Sequence, residues 1–301
     1  MDLIKSMRSI FLMTFLRSIG TTLEMIKWEH SVFALPFALT GAMLAAHGWP
    51  SAAKLGWIVL CMISARSAAM AFNRWADAEL DGANPRTKMR AIPAGMLTRN
   101  FAAGFTIAMA AVFVLGAWRL NRLTLILSPV VLVVLFLYSY TKRFTRWSHL
   151  FLGLALGIAP TGAWIAIRGS LDPRILVLTA AVLFWVAGFD VLYACQDEAH
   201  DRSAGLFSIP ATLGIARAFW IARGMHVLML GLLVWLAVLF HLGPIAGVGI
   251  GAVAALLLWE HMIVSPRDLT RMNAAFFMMN GVIAVIFFVF VAADLLIRRH
   301  A

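Results

Sequence analysis

Charge is scarce in this chain. Of its 301 residues only 13% are Asp, Glu, Lys or Arg, about half the share of a soluble domain. With 62% hydrophobic residues and a mean hydropathy of +0.88, that shortage excludes a free-standing soluble fold of this length. Cysteine is nearly missing too. The two that occur, Cys61 and Cys195, lie inside apolar runs with no disulfide or metal-site spacing, and they read as small packed hydrophobes. The alternating pattern of a transmembrane β-barrel is also missing, because the apolar runs are continuous. No basic stripe interleaved with aromatics lies outside those runs. The net charge of +11 therefore reflects the positive-inside rule and not a nucleic-acid partner.

What the chain has in quantity is apolar stretches long enough to cross the roughly 30 Å hydrocarbon layer. Nine candidate spans are read, at about 22–46, 53–76, 99–118, 122–140, 148–168, 174–196, 217–240, 244–265 and 272–297. The fold class expected is all-α: a polytopic membrane bundle of about nine helices with cap loops on the cytoplasmic side. Residues 1–21 read as a retained cytoplasmic arm, since the apolar core "IFLMTFL" is short and no small-residue cleavage site follows it. Residues 22–301 then form a single transmembrane domain. Lys and Arg divide fifteen to seven between the two sides, which places the long connections 77–98 and 197–216 in the cytoplasm. The expected location is the bacterial inner membrane.

Acid is scarcer still, and it is not scattered. The chain has 14 Asp and Glu residues, and half of them fall in "NRWADAELD" (73–81) and "DVLYACQDEAHD" (190–201). Asn73, Asp77 and Asp81 follow at four-residue steps, a drift of about 80° along one side of a helix. Asp197 and Asp201 each lie about 20° from Asp190 on the helical wheel, with Tyr193 at the edge of that face. Aspartates gathered from two distant segments repel each other, so something positive must offset them. Several hard carboxylate oxygens open to water suit Mg²⁺, an ion that shares itself with substrate phosphates. Any single aspartate at a span end is an ordinary cap. Two periodic clusters on one side of the membrane are more than that.

Those two clusters resemble the NxxxDxxxD and DxxYxxxD-like motifs of the UbiA-type intramembrane aromatic prenyltransferases, the branch that includes 4-hydroxybenzoate polyprenyltransferases. The resemblance continues through "GANPRTKMRAIPAGMLT" (82–98), "YSYTKRFT" (138–145) and "GLFSIPATLG" (205–214), and so covers nearly the whole chain. It implies a helical bundle with a cavity beneath cytoplasmic caps. It also implies Mg²⁺-dependent transfer of a polyprenyl group from its diphosphate to an aromatic acid, 4-hydroxybenzoate first, in ubiquinone or menaquinone synthesis. On that reading Asn73, Asp77, Asp81, Asp190, Asp197 and Asp201 hold the metal. Arg86, Lys88 and Arg90 contact the diphosphate, and Arg143, with Lys142, meets the acceptor's carboxylate. Tyr193 either stabilises the allylic cation, orients a carboxylate, or packs at headgroup depth.

Other residues are open to bland readings. Arg66, seven residues before Asn73, is expected to pair structurally with Glu24 or Glu29, or else to reach the aspartates or diphosphate. Glu29 and His30 are candidates for holding the acceptor, though interfacial solvation accounts for them as well. His200 is turned about 80° from Asp190 and is not expected to be a ligand. Within the same family, naphthoate or a haem or chlorophyll precursor are alternative acceptors. The rival from another class is a cation-coupled transporter. Transporter sites sit near mid-membrane on broken helices, whereas these acids lie at one face and run on into basic loops.

Overall fold

A computed structural model describes residues 20–26, 31–270, 272 and 279–300. Among them the chain is helical throughout, with one isolated bridge, Ser265 to Asp268, as the only extended pairing. The elements are α1 (Ser31–Ala46), α2 (Ala52–Ala76), α3 (Ala78–Ala83), α4 (Arg99–Leu120), α5 (Arg122–Thr141), α6 (Ser148–Arg168), α7 (Ile175–Ala194), α8 (Glu198–Ser203), α9 (Ile209–Leu213), α10 (Ile215–Leu239), α11 (Pro244–Ile263) and α12 (Asn280–His300). Local chemistry sets several ends. The side chains of Ser51, Thr98 and Asn121 accept from the backbone N–H three residues on and so cap α2, α4 and α5. Gly169 closes α6 in the left-handed region that only glycine adopts freely (φ 71°).

Among the described residues eight helices are long and apolar enough to cross a membrane, and Ala34–Ala46 adds a shorter apolar helix. The protein is an integral membrane protein of the all-helical polytopic kind. Of the expected first span, 22–46, residues 22–26 and 31–46 are described, and both stretches are helical. Its described helix α1 has 16 residues, about 24 Å at 1.5 Å per residue, and contains Pro36. Residues 27–30, which separate it from the helical segment 20–26, lie outside the described residues, as do 273–278 before α12.

Helix α7 is the hub. It packs on α6 and α10, α1 lies across α6 and α12, and α2 and α4 pair at the other flank, bridged to α6 by α5. Trp185 of α7 is fully buried against Phe37 and Phe189, at ring-centroid distances of 5.0 and 5.1 Å. The α6–α7 contact is close because Gly153 and Gly157 face the α7 backbone. A Cβ on Gly153 would meet the Leu183 carbonyl oxygen at 2.3 Å. Small residues let membrane helices approach in this way, since apolar burial alone does not drive helices together in lipid. The closeness matters for function: it brings the end of α7 beside α2 and α5, and leaves a hollow between them.

Candidate active site

The hollow is a cavity of about 730 Å³ at one end of the bundle. Its wall takes in Asn73, Asp77, Asp81, Arg86, Arg90, Lys142, Arg143, Asp190, Tyr193, Asp197 and Asp201. The two acidic clusters, remote in sequence, thus share one space.

The first cluster keeps its spacing through a helix break. The α2 helix stops at Asp77, yet the Asp77 N–H still donates to the Asn73 carbonyl (2.9 Å) and the Asp81 N–H to that of Asp77 (2.7 Å). Asn73 donates through Nδ2 to Asp77 Oδ2 (2.8 Å) and to Ser139 Oγ on α5 (3.3 Å). The second cluster departs from the expected single helix. Past Ala194 the chain tightens into a 3₁₀ turn, Cys195–Asp197, before α8 begins. A 3₁₀ turn winds faster than an α-helix, so the wheel angles read from the sequence shift there. This is why His200, set aside on rotation, also lines the cavity.

Each aspartate meets its own partner. Asp197 receives Arg86 in fork-to-fork fashion, Nε to Oδ1 at 2.7 Å and Nη2 to Oδ2, and Asn84 Nδ2 adds a bond at 3.3 Å. Arg90 donates to Asp81 Oδ1 at 2.6 Å, Arg143 to Asp77 Oδ1 at 3.2 Å, and Lys142 Nζ lies 3.6 Å from Asp201. Asp190 instead meets His149 Nδ1 at 2.7 Å. Tyr193 takes a hydrogen bond from Arg86 at 3.1 Å, with the guanidinium over its ring. Burial pushes the Asp77 carboxyl above the ordinary carboxylate range, against the pull of the Arg143 hydrogen bond. For Arg86 burial works toward loss of the proton, but the hydrogen bond and charge of Asp197 outweigh it and raise the guanidinium above its usual value.

Lys88 is the expected contact that the structure does not bring in. Turns closed on Asn84 and Thr87 carry residues 84–94 past the mouth, so that Arg86 and Arg90 face the acids while Lys88 is exposed outside the cavity wall. Glu29 and His30 lie outside the described residues, as does most of the arm, 1–21. Thr21, Glu24 and Met25 of segment 20–26 do border the cavity.

Of the partners expected for Arg66, Glu29 lies outside the described residues. Arg66 borders the cavity two turns below Asn73, and among the described residues it forms no ion pair with Glu24 or any other acid. Its Nε is buried without a hydrogen-bond partner. Sequence reasoning also passed over Arg74, Asn84, Tyr138, Ser139 and His149. Of these Asn84 carried a signal, since it stands in the loop that joins the acids to Arg86.

No three carboxylate or imidazole groups among the described residues stand close enough together to grip a metal ion as placed. The donor chemistry nevertheless fits Mg²⁺. The five aspartate carboxylates and the Asn73 amide face one space, and Asp81 Oδ2 and Asp201 Oδ2 are buried with no hydrogen-bond partner.

Fold and cavity together define a polytopic membrane protein with an acid- and arginine-lined mouth over an apolar interior. The sequence profile of the UbiA prenyltransferase family matches residues 34–282, and the chain belongs to that family; it is a prenyl-transferring membrane enzyme. A 4-hydroxybenzoate octaprenyltransferase of Cupriavidus necator is 34% identical over 253 residues, 82% of this chain and 86% of that protein. One of the same name from Nitrosospira multiformis is 31% identical over 249 residues, 83% of this chain and 86% of that protein. The apo structure of a UbiA homologue from Aeropyrum pernix K1 superposes with a TM-score of 0.81 at 32% identity, over 88% of this chain and 98% of that one. A UbiA homologue from Archaeoglobus fulgidus bound to DMAPP and Mg²⁺ shares the fold, with a TM-score of 0.72 at 18% identity, covering 92% and 99% of the two chains.

Proposed function

We propose that this enzyme transfers a polyprenyl group from its diphosphate to an aromatic acid, with 4-hydroxybenzoate as the acceptor and quinone synthesis as the use. The observation that carries the reading is the joint lining of one cavity by both aspartate clusters and by Arg86, Arg90 and Arg143. An ion held by Asn73, Asp77, Asp81, Asp190, Asp197 and Asp201 would supply charge neutralisation at the leaving oxygens of the diphosphate. Arginine forks suit phosphate as well as carboxylate. With substrate in place Arg86, Arg90 and Arg143 exchange carboxylate oxygens for phosphate oxygens, and the aspartates are released toward the ion. Met70, Leu152, Leu156, Val186 and Phe189 give the cavity its apolar side, which receives the isoprenoid. The allylic C–O bond breaks with its electron pair leaving on pyrophosphate. The Tyr193 ring, beside Asp190 and Asp197, faces the cation that results. The aromatic ring attacks, a C–C bond forms, and loss of the ring proton restores aromaticity.

Arg66 favours an acidic acceptor over a neutral one. A cation without a counter-charge among the described residues, set below the metal-binding residues on the same helix, matches a carboxylate on the far side of a ring whose other edge meets the allylic carbon. Arg143 and Lys142, expected from the family resemblance to meet the acceptor's carboxylate, are engaged by Asp77 and Asp201, and this reading assigns them to the diphosphate side. The excess of Lys and Arg on the side of loops 77–98 and 197–216 supports placing the mouth in the cytoplasm of a bacterial inner membrane.

The test is direct. Purified protein in lipid nanodiscs receives Mg²⁺, geranyl diphosphate and 4-hydroxybenzoate, and mass spectrometry follows the products. The expected result is a C-prenylated acid formed one-for-one with pyrophosphate. Release of neither, or hydrolysis of the diphosphate alone whatever aromatic acid is offered, overturns the reading.

A further inference from the structure

Asp190 differs from the other cavity aspartates in the partner it has. Asp77, Asp81, Asp197 and Asp201 each lie within ion-pair distance of an arginine or lysine, whereas Asp190 meets an imidazole, His149 Nδ1, at 2.7 Å. His149 stands on the first turn of α6 and is fully buried. Its other nitrogen, Nε2, lies 3.3 Å from the backbone N of Ile209, which donates to it. An N–H pointing at Nε2 requires a bare nitrogen there, so the ring proton sits on Nδ1 and is given to Asp190. The donor is one of the N–H groups that the start of α9 leaves without an intrahelical partner. Ser208 occupies the cap of that short helix and takes the Ala211 N–H, which leaves Ile209 for the imidazole. The segment is fixed in turn by Phe207, whose N–H donates to the Lys142 carbonyl at 2.7 Å.

We propose that His149 is a positioning residue for the reaction: held in one tautomer by the Ile209 N–H, it orients the Asp190 carboxylate for the divalent ion. This rests on the prenyl-transfer reading above, in which Asp190 is a metal ligand. The carboxylate has two oxygens, and a neutral donor fixed on Oδ2 leaves Oδ1 to face the cavity. A neutral donor also leaves Asp190 its full negative charge, which an arginine in the same place would offset. The geometry ties the 204–213 segment to the site through the Ile209 backbone N–H, and Leu206 of the same segment borders the cavity. Removing such a supporting hydrogen bond from a metal ligand typically weakens metal affinity about 10–100-fold.

The test compares His149→Leu with His149→Asn. Asparagine places an amide N–H where Nδ1 stood but is too short to reach Ile209, so it keeps the bond to Asp190 and loses the tie to α9. Leucine loses both. Mn²⁺ affinity is read by electron paramagnetic resonance with inorganic pyrophosphate present, and Asp77→Asn serves as the control for the metal site itself. The expected result is a 10–100-fold weaker Mn²⁺ affinity for H149L, affinity within about threefold of wild type for H149N, and an unchanged acceptor KM for both at saturating metal. A bridge of merely structural value would fail equally in the two variants, and that outcome overturns the proposal. Wild-type affinity in H149L overturns it as well. Should H149L not fold, ¹⁵N spectra of histidine-labelled wild type, assigned against H149N, still decide: a proton on Nδ1 is expected, and one on Nε2 sinks the idea. A wild type that binds no Mn²⁺ while Asp77→Asn behaves identically overturns the metal reading itself, and this inference with it.

Discussion

Arg86 and Asp197 stand 111 residues apart and meet by two parallel N–H···O bonds, Nε on Oδ1 at 2.7 Å and Nη2 on Oδ2. The pair fastens the loop after the first acidic cluster to the 3₁₀ turn that carries the second. It also puts a fork-shaped cation where a diphosphate would arrive. Lysine keeps the charge of Arg86 but not the fork. Loss of one charge-assisted hydrogen bond is worth about 1.5–3 kcal/mol, or roughly 10–100-fold in affinity. Arg86→Lys is therefore expected to raise the KM for the prenyl diphosphate by that factor and to leave the acceptor KM unchanged. Steady-state kinetics with each substrate varied in turn checks it, and equal effects on both would remove Arg86 from the diphosphate side.

Asp77 supports a prediction in which activity and stability move in opposite directions. Burial raises its carboxyl above the ordinary range. The folded state therefore holds this proton more tightly than the unfolded chain does, and stability declines as pH rises through the raised value. Above it the ionised Asp77 is a standing cost, which an uncharged amide does not carry. Asp77→Asn is expected to lower kcat about 100-fold or more, since a charge that stabilises the leaving group is lost. Its melting temperature in detergent should equal or exceed that of wild type at neutral pH, with the difference shrinking as pH falls. A variant that keeps near-normal turnover at saturating Mg²⁺ would displace Asp77 from the site.

The spans and the acid clusters were legible in the sequence because both are local. An apolar run declares a span by its length, and Asp77 and Asp81 share a side because a helix repeats every 3.6 residues. Groups whose role depends on a distant partner were not. His149 touches Asp190 across 41 residues, and nothing at either position marks the pairing. Lys88 and Arg90 look alike in a basic loop, and only the turns closed on Asn84 and Thr87 decide which one faces the cavity. His200 borders the cavity although the wheel turns it away from Asp190, because the 3₁₀ turn at Cys195–Asp197 breaks the rotation that the wheel assumes. Arg66 was expected beside Glu24 or Glu29, or at the aspartates or diphosphate; Glu29 lies outside the described residues, and Arg66 borders the cavity.

Helix contact can be tested where two backbones nearly touch. Gly153 on α6 faces the Leu183 carbonyl, which an added methyl would meet at 2.3 Å, whereas Gly162 on the same helix has open space beside it. Overpacking of this kind costs about 1–3 kcal/mol. Gly153→Ala is expected to lower the melting temperature and, by pushing α6 from α7, to pull His149 from Asp190. Gly162→Ala gains up to about 1 kcal/mol from helix propensity and should leave stability equal or higher. Thermal unfolding of both variants in one detergent checks the pair. Equal losses would mean that α6 and α7 are not this close.

Arg66 gives the sharpest test of acceptor choice. If its guanidinium takes the carboxylate of the aromatic acid, Arg66→Gln removes a charge-assisted bond worth about 1.5–3 kcal/mol, and the KM for 4-hydroxybenzoate rises roughly 10–100-fold. The KM for the diphosphate should stay put, and kcat at saturating acceptor should change little, because the bond is made equally in ground and transition states. A second substrate closes the cycle: phenol, which lacks the carboxylate, should be a poor acceptor for wild type and no poorer for Arg66→Gln. Arg143→Ala provides the contrast, since Arg143 lies on Asp77 and its loss should fall on the diphosphate KM. If Arg143→Ala instead raises the acceptor KM and Arg66→Gln does not, the carboxylate lies at the mouth and not beneath it, and the ring binds the other way round.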